Sequence, residues 1–171
     1  MKTRTIAYAG FFIALSVILT RLFSAPIHIA GFYAIRLGLG SLPVILSGLI
    51  LGPIAGAATG AIADIVGFVL FPVGAYFPGF TLSSALTGMI PPLIIRRTRK
   101  QLSYLSILFA VAVTDLLTSV ILNTLWLTLM SGQGFAVFFM PRLVTRAILV
   151  PIYSFFILGI VRYYHALVAR S

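Results

Sequence analysis

Apolar residues run almost without a break from Ile6 to Val168, punctuated by glycine, proline and arginine. A helix needs about 20 such residues to cross the hydrocarbon core of a bilayer. On that measure the pattern predicts six spans, at approximately 6–23, 37–51, 54–71, 80–95, 102–130 and 143–163. Gly52-Pro53 reads as a tight turn between the second and third spans. Residues 24–36 and 131–141 read as loops, and a Pro/Gly/aromatic segment from Pro72 to Gly79 leads into the fourth span. The fifth stretch, Leu102 to Met130, is overlong for one straight helix, and Pro151 is expected to kink the sixth. The fold class that follows is an all-α integral membrane protein, a single compact bundle of six transmembrane helices over residues 1–171.

Small residues recur at helical spacing. Gly48, Gly52, Gly56 and Gly60 are four apart across the turn between spans two and three, and Ser84 and Gly88 repeat the interval in span four. In lipid, where no hydrophobic drive brings helices together, such positions let backbones approach closely. Gly10 and Ala14 form the same pattern in the first span. From the residues alone that pair fits internal packing best, with a docking face for another membrane subunit as the sharper alternative.

Composition narrows the class further. With 61% hydrophobic and 8% charged residues, the chain has too little polar surface for a soluble domain or a nucleotide-binding module. It contains no cysteine, which removes disulfides, thiolate metal sites and thiol nucleophiles. The net charge of +10 does not point to nucleic acid, because the basic residues sit between apolar runs. Lys2, Arg4, Arg96, Arg97, Arg99, Lys100, Arg162 and Arg170 would lie on one side, against Arg21, Arg36, Arg142 and Arg146 on the other. The positive-inside rule then places both termini in the cytoplasm. The stretch after Lys2 and Arg4 imitates a secretory signal, but its length and Arg21 favour a retained first helix.

Candidate chemistry is sparse. The two acids, Asp64 and Asp115, both fall inside spans, where a carboxylate must face a cavity or a partner. An ion pair with an arginine and a ligand-binding role are equally good readings for each. No metal-binding cluster, phosphate loop or nucleophile motif is present, and His28 and His165 would lie on opposite sides of the membrane. Neither a metal, a cofactor nor an enzymatic activity is therefore expected. The outer half is richer: Arg36, Tyr76, Phe77, Asn123, Trp126, Arg142 and Arg146 all fall at one depth. Aromatic planes, an amide and guanidinium groups together suit a flat aromatic ligand that carries carboxylates. The second and fourth spans are read as short, Gly/Pro-bounded helices lining an outer cavity.

Several stretches resemble the substrate-binding (S) components of energy-coupling factor (ECF) vitamin transporters. Ile35-Arg36-Leu37-Gly38, Leu42-Pro43, Leu51-Gly52-Pro53 and Gly60 to Gly67 around Asp64 look like that family's second and third spans. The stretches Tyr76-Phe77-Pro78-Gly79-Phe80-Thr81-Leu82-Ser83 and Asn123-Thr124-Leu125-Trp126-Leu127, with Pro141-Arg142-Leu143, are similar to the folate-specific members. The resemblance implies a protein of a prokaryotic cell membrane that binds folate from outside. It would pass the vitamin to a transmembrane coupling (T) subunit and two ABC-type ATPases, toppling in the bilayer to do so. In the family an Ala-x-x-x-Ala pattern in the first span docks on the coupling subunit, and Gly10 and Ala14 stand there in this chain.

On this reading Phe77 and Trp126 stack on the ligand, and Asn123 and Asp64 bond the pterin edge. Tyr76 and Thr81 belong to the same pocket, while Arg36, Arg142 or Arg146 hold the anionic tail. Alternatives are an S component for riboflavin or pantothenate, with thiamine disfavoured by the outer arginines. A non-transport scaffold using the basic run Arg96 to Lys100 is a third reading, and an intramembrane enzyme the last.

Overall fold

A computed structural model describes residues 3–21, 25–29, 32–37, 39–72, 74–98 and 103–168; the side chains of residues 21–38, 98 and 165–168 are not among the described parts. Helix α1 is Thr3–Arg21, followed by the strands β1, Ala25–Ile29, and β2, Phe32–Leu37. Then come α2, Ser41–Leu51, α3, Pro53–Leu70, and α4, Pro78–Thr98. Helix α5, Tyr104–Asp115, runs through a π-helical segment, Leu116–Leu122, into α6, Asn123–Ser131, and α7, Phe135–Val168, completes the chain. Counting α5 to α6 as one rod, six helical rods form the bundle. Where a loop was expected after the first span, β1 and β2 pair antiparallel, with a bulge between Ile27 and His28.

Among the described residues, five helices are long and apolar enough to cross a membrane. The exception is α2, whose 11 residues reach only about 16 Å, half a bilayer core. Protein surrounds it, with Leu42 to Gly48 all buried, and it is the short helix that the sequence suggested, lying in the core of the bundle. The fourth predicted span changes: α4 has 21 residues and is not short. The loop assigned to 131–141 shrinks to the turn at Gly132, whose left-handed φ of 68° ends α6, and α7 takes up the rest. Elsewhere the surface is inverted relative to a soluble protein. Phe11, Ile54, Val69, Leu105, Phe109 and Phe155 are exposed, as lipid-facing positions should be.

Glycine governs the packing of α2, α3 and α4. A Cβ at Gly48 or Gly56 would strike the carbonyl oxygen of Gly88, and one at Gly60 would strike that of Ser84. Pro92 has no N–H, so the Gly88 carbonyl lacks its i→i+4 helical donor. It lies instead against the bare Cα faces of Gly48 and Gly56, the approach that lets weak Cα–H contacts form. The turn between α2 and α3 rests on Gly52, whose φ of 102° and ψ of 166° only glycine adopts readily, followed by Pro53 at the first helical position. A core of Ile45, Ile107, Val111, Tyr153 and Ile157 ties α2 to α5 and α7.

Chain alternation brings the hairpin, the 71–77 connection and the α6–α7 turn to one end. Arg96 and Arg97, in the last turn of α4, lie at the other.

Candidate functional site

The hairpin end gathers most of the expected residues, in three groups. On α3 and the start of α4, the Thr81 hydroxyl donates to Asp64 Oδ2 at 2.7 Å, and the Tyr76 hydroxyl is 2.8 Å from Thr81 Oγ1. Thr81 has one hydroxyl hydrogen, already given to the carboxylate, so Tyr76 must be the donor to Thr81. A directed chain therefore runs from the half-exposed tyrosine to the half-buried acid. Phe68, one turn past Asp64, packs on the Tyr76 ring with centroids 5.2 Å apart.

The second group is aromatic. Phe77 meets Trp126 at 5.5 Å between centroids and 45° between planes, with Phe80 edge-on to Phe77 at 6.1 Å. The indole Nε1 donates to Ser83 Oγ at 3.1 Å, and Ser83 is buried. Tyr76 and Phe77 are chain neighbours yet serve different groups, the first bonding Thr81 and the second meeting Trp126.

The third group is a ladder between α7 and the π-helical segment. Arg146 Nη1 lies 3.4 Å from Asp115 Oδ2, and Ser119 Oγ donates to Asp115 Oδ1 at 3.2 Å. Arg142 Nη1, one turn earlier, donates to the Ser119 carbonyl at 2.8 Å. In π-helical geometry each N–H reaches back five residues, as that of Asn123 does to Thr118. That widened turn is where the Ser119 carbonyl receives a guanidinium from outside the helix. Asp115 is 1% exposed, and Tyr153, fully buried, stands close to the same pair. Of the two readings held for this acid, the geometry is that of an ion pair.

Of the buried atoms with no hydrogen-bond partner among the described residues, Asn123 Oδ1 and Arg142 Nε belong to residues expected at the site, and Thr124 Oγ1 and Thr128 Oγ1 share α6 with Asn123. Burying such groups unpaired is costly, and sites of this kind fit a polar ligand atom or water. No group of three or more potential metal ligands exists among the described residues. The side chain of Arg36 lies outside the described residues, although its backbone pairs with Pro26 in the hairpin.

Sequence reasoning did not single out Gly79, Ser83 or Ser119. Gly79 and Ser83 stood in the stretch that resembles the folate-specific members but were given no role, and Ser119 depends on the π-helical turn, which leaves no sequence mark. Gly10 and Ala14 are both exposed, and among the described residues a Cβ at Gly10 would touch nothing within 4 Å.

Residues 1–164 match the family described as ECF-type riboflavin transporter, S component. A relative from Clostridium novyi (strain NT), named folate transporter FolT, is 37% identical over 158 residues, covering 92% of this chain and 88% of the relative. A second folate transporter FolT, from Leuconostoc mesenteroides, is 29% identical over 116 residues, 63% of this chain. A crystal structure of FolT bound with folic acid superposes with a TM-score of 0.78 at 32% identity, covering 91% of this chain and 90% of that one. The S component for biotin from an ECF-type ABC transporter shares the fold, with a TM-score of 0.75 at 20% identity. A multi-pass helical bundle with this packing and this breadth of likeness belongs to the S components of ECF-type transporters.

Proposed function

We propose that this chain is a folate-capturing S component of an ECF-type ABC importer. The observation that carries the reading is the Phe77–Trp126 pair, with Asn123 one turn before Trp126 on α6, together with buried Asn123 and Arg142 atoms that lack partners among the described residues. A pterin is flat and carries donors and acceptors along one edge, while the folate tail ends in carboxylates. Stacking serves the first, an amide the second, and a guanidinium the third. Phe77 and Trp126 hold the ring, Asn123 bonds its edge, and Asp64, fed by Thr81 and Tyr76, offers a further acceptor. Arg142, with Arg36 from the hairpin, receives the tail. Arg146 acts one turn deeper, where its pairing with Asp115 holds the Arg142 wall in place.

The names of the relatives, both folate transporters, support the same ligand. In this reading the hairpin end faces outward and both termini are cytoplasmic, in the plasma membrane of a prokaryote. The exposed Gly10 and Ala14 face of α1 docks on the transmembrane coupling subunit, which works with two ABC ATPases. Riboflavin is the second reading, favoured by the family description that covers residues 1–164.

Calorimetry on the purified protein in micelles tests both. Folate should bind tightly, excess riboflavin should not displace it, and Trp126→Ala should weaken binding roughly tenfold or more. Displacement by an equal concentration of riboflavin, or undiminished folate affinity in Trp126→Ala, removes the assignment.

A further inference from the structure

The tryptophan of the aromatic pair is held by two points on α4. Gly79 is buried, and a Cβ built on it would stand 2.6 Å from Phe77 Cε1 and 2.6 Å from Trp126 Cδ2. Both rings therefore occupy the space that any other residue would fill. One turn further along the same face, Ser83 accepts the indole N–H at 3.1 Å. Ser83 is itself 2% exposed, so the bond is shielded and fixes the indole along its long axis. The ring cannot retreat from a new methyl group without lengthening that bond.

The backbone at Gly79 offers no other reason for glycine. Its φ is not among the positive values, and it sits in the first turn of a helix, where alanine is the better residue by propensity. What requires glycine here is the aromatic pair.

We propose that Gly79 and Ser83 form a seat that sets the height of the Trp126 ring, and that Gly79 is a specificity-determining position for the flat part of the ligand. The proposal rests on the stacking role given to Trp126 above. A methyl group at 79 would push the indole and the Phe77 ring outward, into the space where a heterocycle would lie. Affinity for the ring system would fall, while contacts to the carboxylate tail would be untouched.

The chain contains a single tryptophan, so intrinsic emission reports this one ring. The experiment compares wild type, Gly79→Ala and Ser83→Ala in micelles by Trp emission without ligand. It then uses calorimetry with two probes, folate and pteroic acid, which shares the pterin but lacks the glutamate tail. In Gly79→Ala the emission should shift, and both probes should lose affinity by the same factor, roughly tenfold, at unchanged stoichiometry. A protein that is merely less well folded would instead show fewer binding sites at the wild-type Kd. Arg142→Gln serves as the contrast, weakening folate more than pteroic acid.

If Gly79→Ala does not fold, Ser83→Ala decides, since it adds no bulk: a shifted emission and a several-fold loss for both probes support the seat. Wild-type emission together with affinity within twofold, in whichever variant folds, overturns it. Should wild type fail to bind either probe, the folate reading falls, while the emission of the ligand-free variants still judges the seat.

Discussion

The two flanks of the bundle solve the same problem, holding helices together in lipid, by opposite means. On the α2–α3–α4 flank, side chains are removed: Gly48, Gly56, Gly60 and Gly88 bring backbones into contact, with the Thr81–Asp64 bond as a polar link at the hairpin end. On the flank made by α5, the π-helical segment, α6 and α7, polar side chains are added: Asp115, Ser119, Arg142 and Arg146 cross-link two rods. The Thr87 and Thr118 hydroxyls, 3.0 Å apart, join the two flanks. The difference teaches where a ligand can act. A backbone-to-backbone seam has no slack to give, whereas polar groups can exchange one partner for another.

The largest expected effect lies on the polar flank. Asp115→Ala leaves the largely covered Arg146 guanidinium, 17% exposed, without its counter-charge, which costs up to about 3–5 kcal/mol. Thermal unfolding in micelles should show a steep drop in Tm, and the double variant with Arg146→Leu should recover most of it. If the single variant is as stable as wild type, the ladder does not hold these rods and the contrast between the flanks collapses.

Next comes the glycine flank. Gly88→Leu forces a side chain against the Gly56 backbone and should cost about 1–3 kcal/mol, with the number of binding sites falling at an unchanged Kd. A change in Kd with full stoichiometry would mean that this flank also shapes the pocket. The smallest effect belongs to a surface that joins neither flank. Gly10→Leu with Ala14→Leu should leave Tm within about 2 °C and folate affinity unaltered. Uptake in cells carrying the complete transporter should be lost, and normal uptake would remove α1 from the docking role.

How much of this was legible in the sequence follows the same divide. Features set by local chemistry were readable: the apolar runs, the Gly52-Pro53 turn and the four-residue glycine interval all appear where expected. Features set by distant partners were not. The π-helical turn at Leu116–Leu122 has no composition of its own, and its Ser119 carbonyl is matched only by Arg142, 23 residues away. Pro141 was read as closing a loop, yet it lies inside α7, where Thr145 Oγ1 donates to its carbonyl at 2.8 Å. That α2 is short was legible too, but what surrounds it was not. Hydropathy measures distance from water, and it cannot distinguish a lipid neighbour from a protein one.

That short helix also constrains how the chain enters a membrane in the first place. Eleven residues reaching about 16 Å are too few to be admitted as an independent span. If α2 stayed behind on the side where α1 ends, α3 would begin its crossing from that side and every later helix would be inverted. The tight turn at Gly52-Pro53 would remove the difficulty if α2 and α3 entered together as one helical hairpin. Biogenesis of the whole bundle thus turns on a two-residue joint.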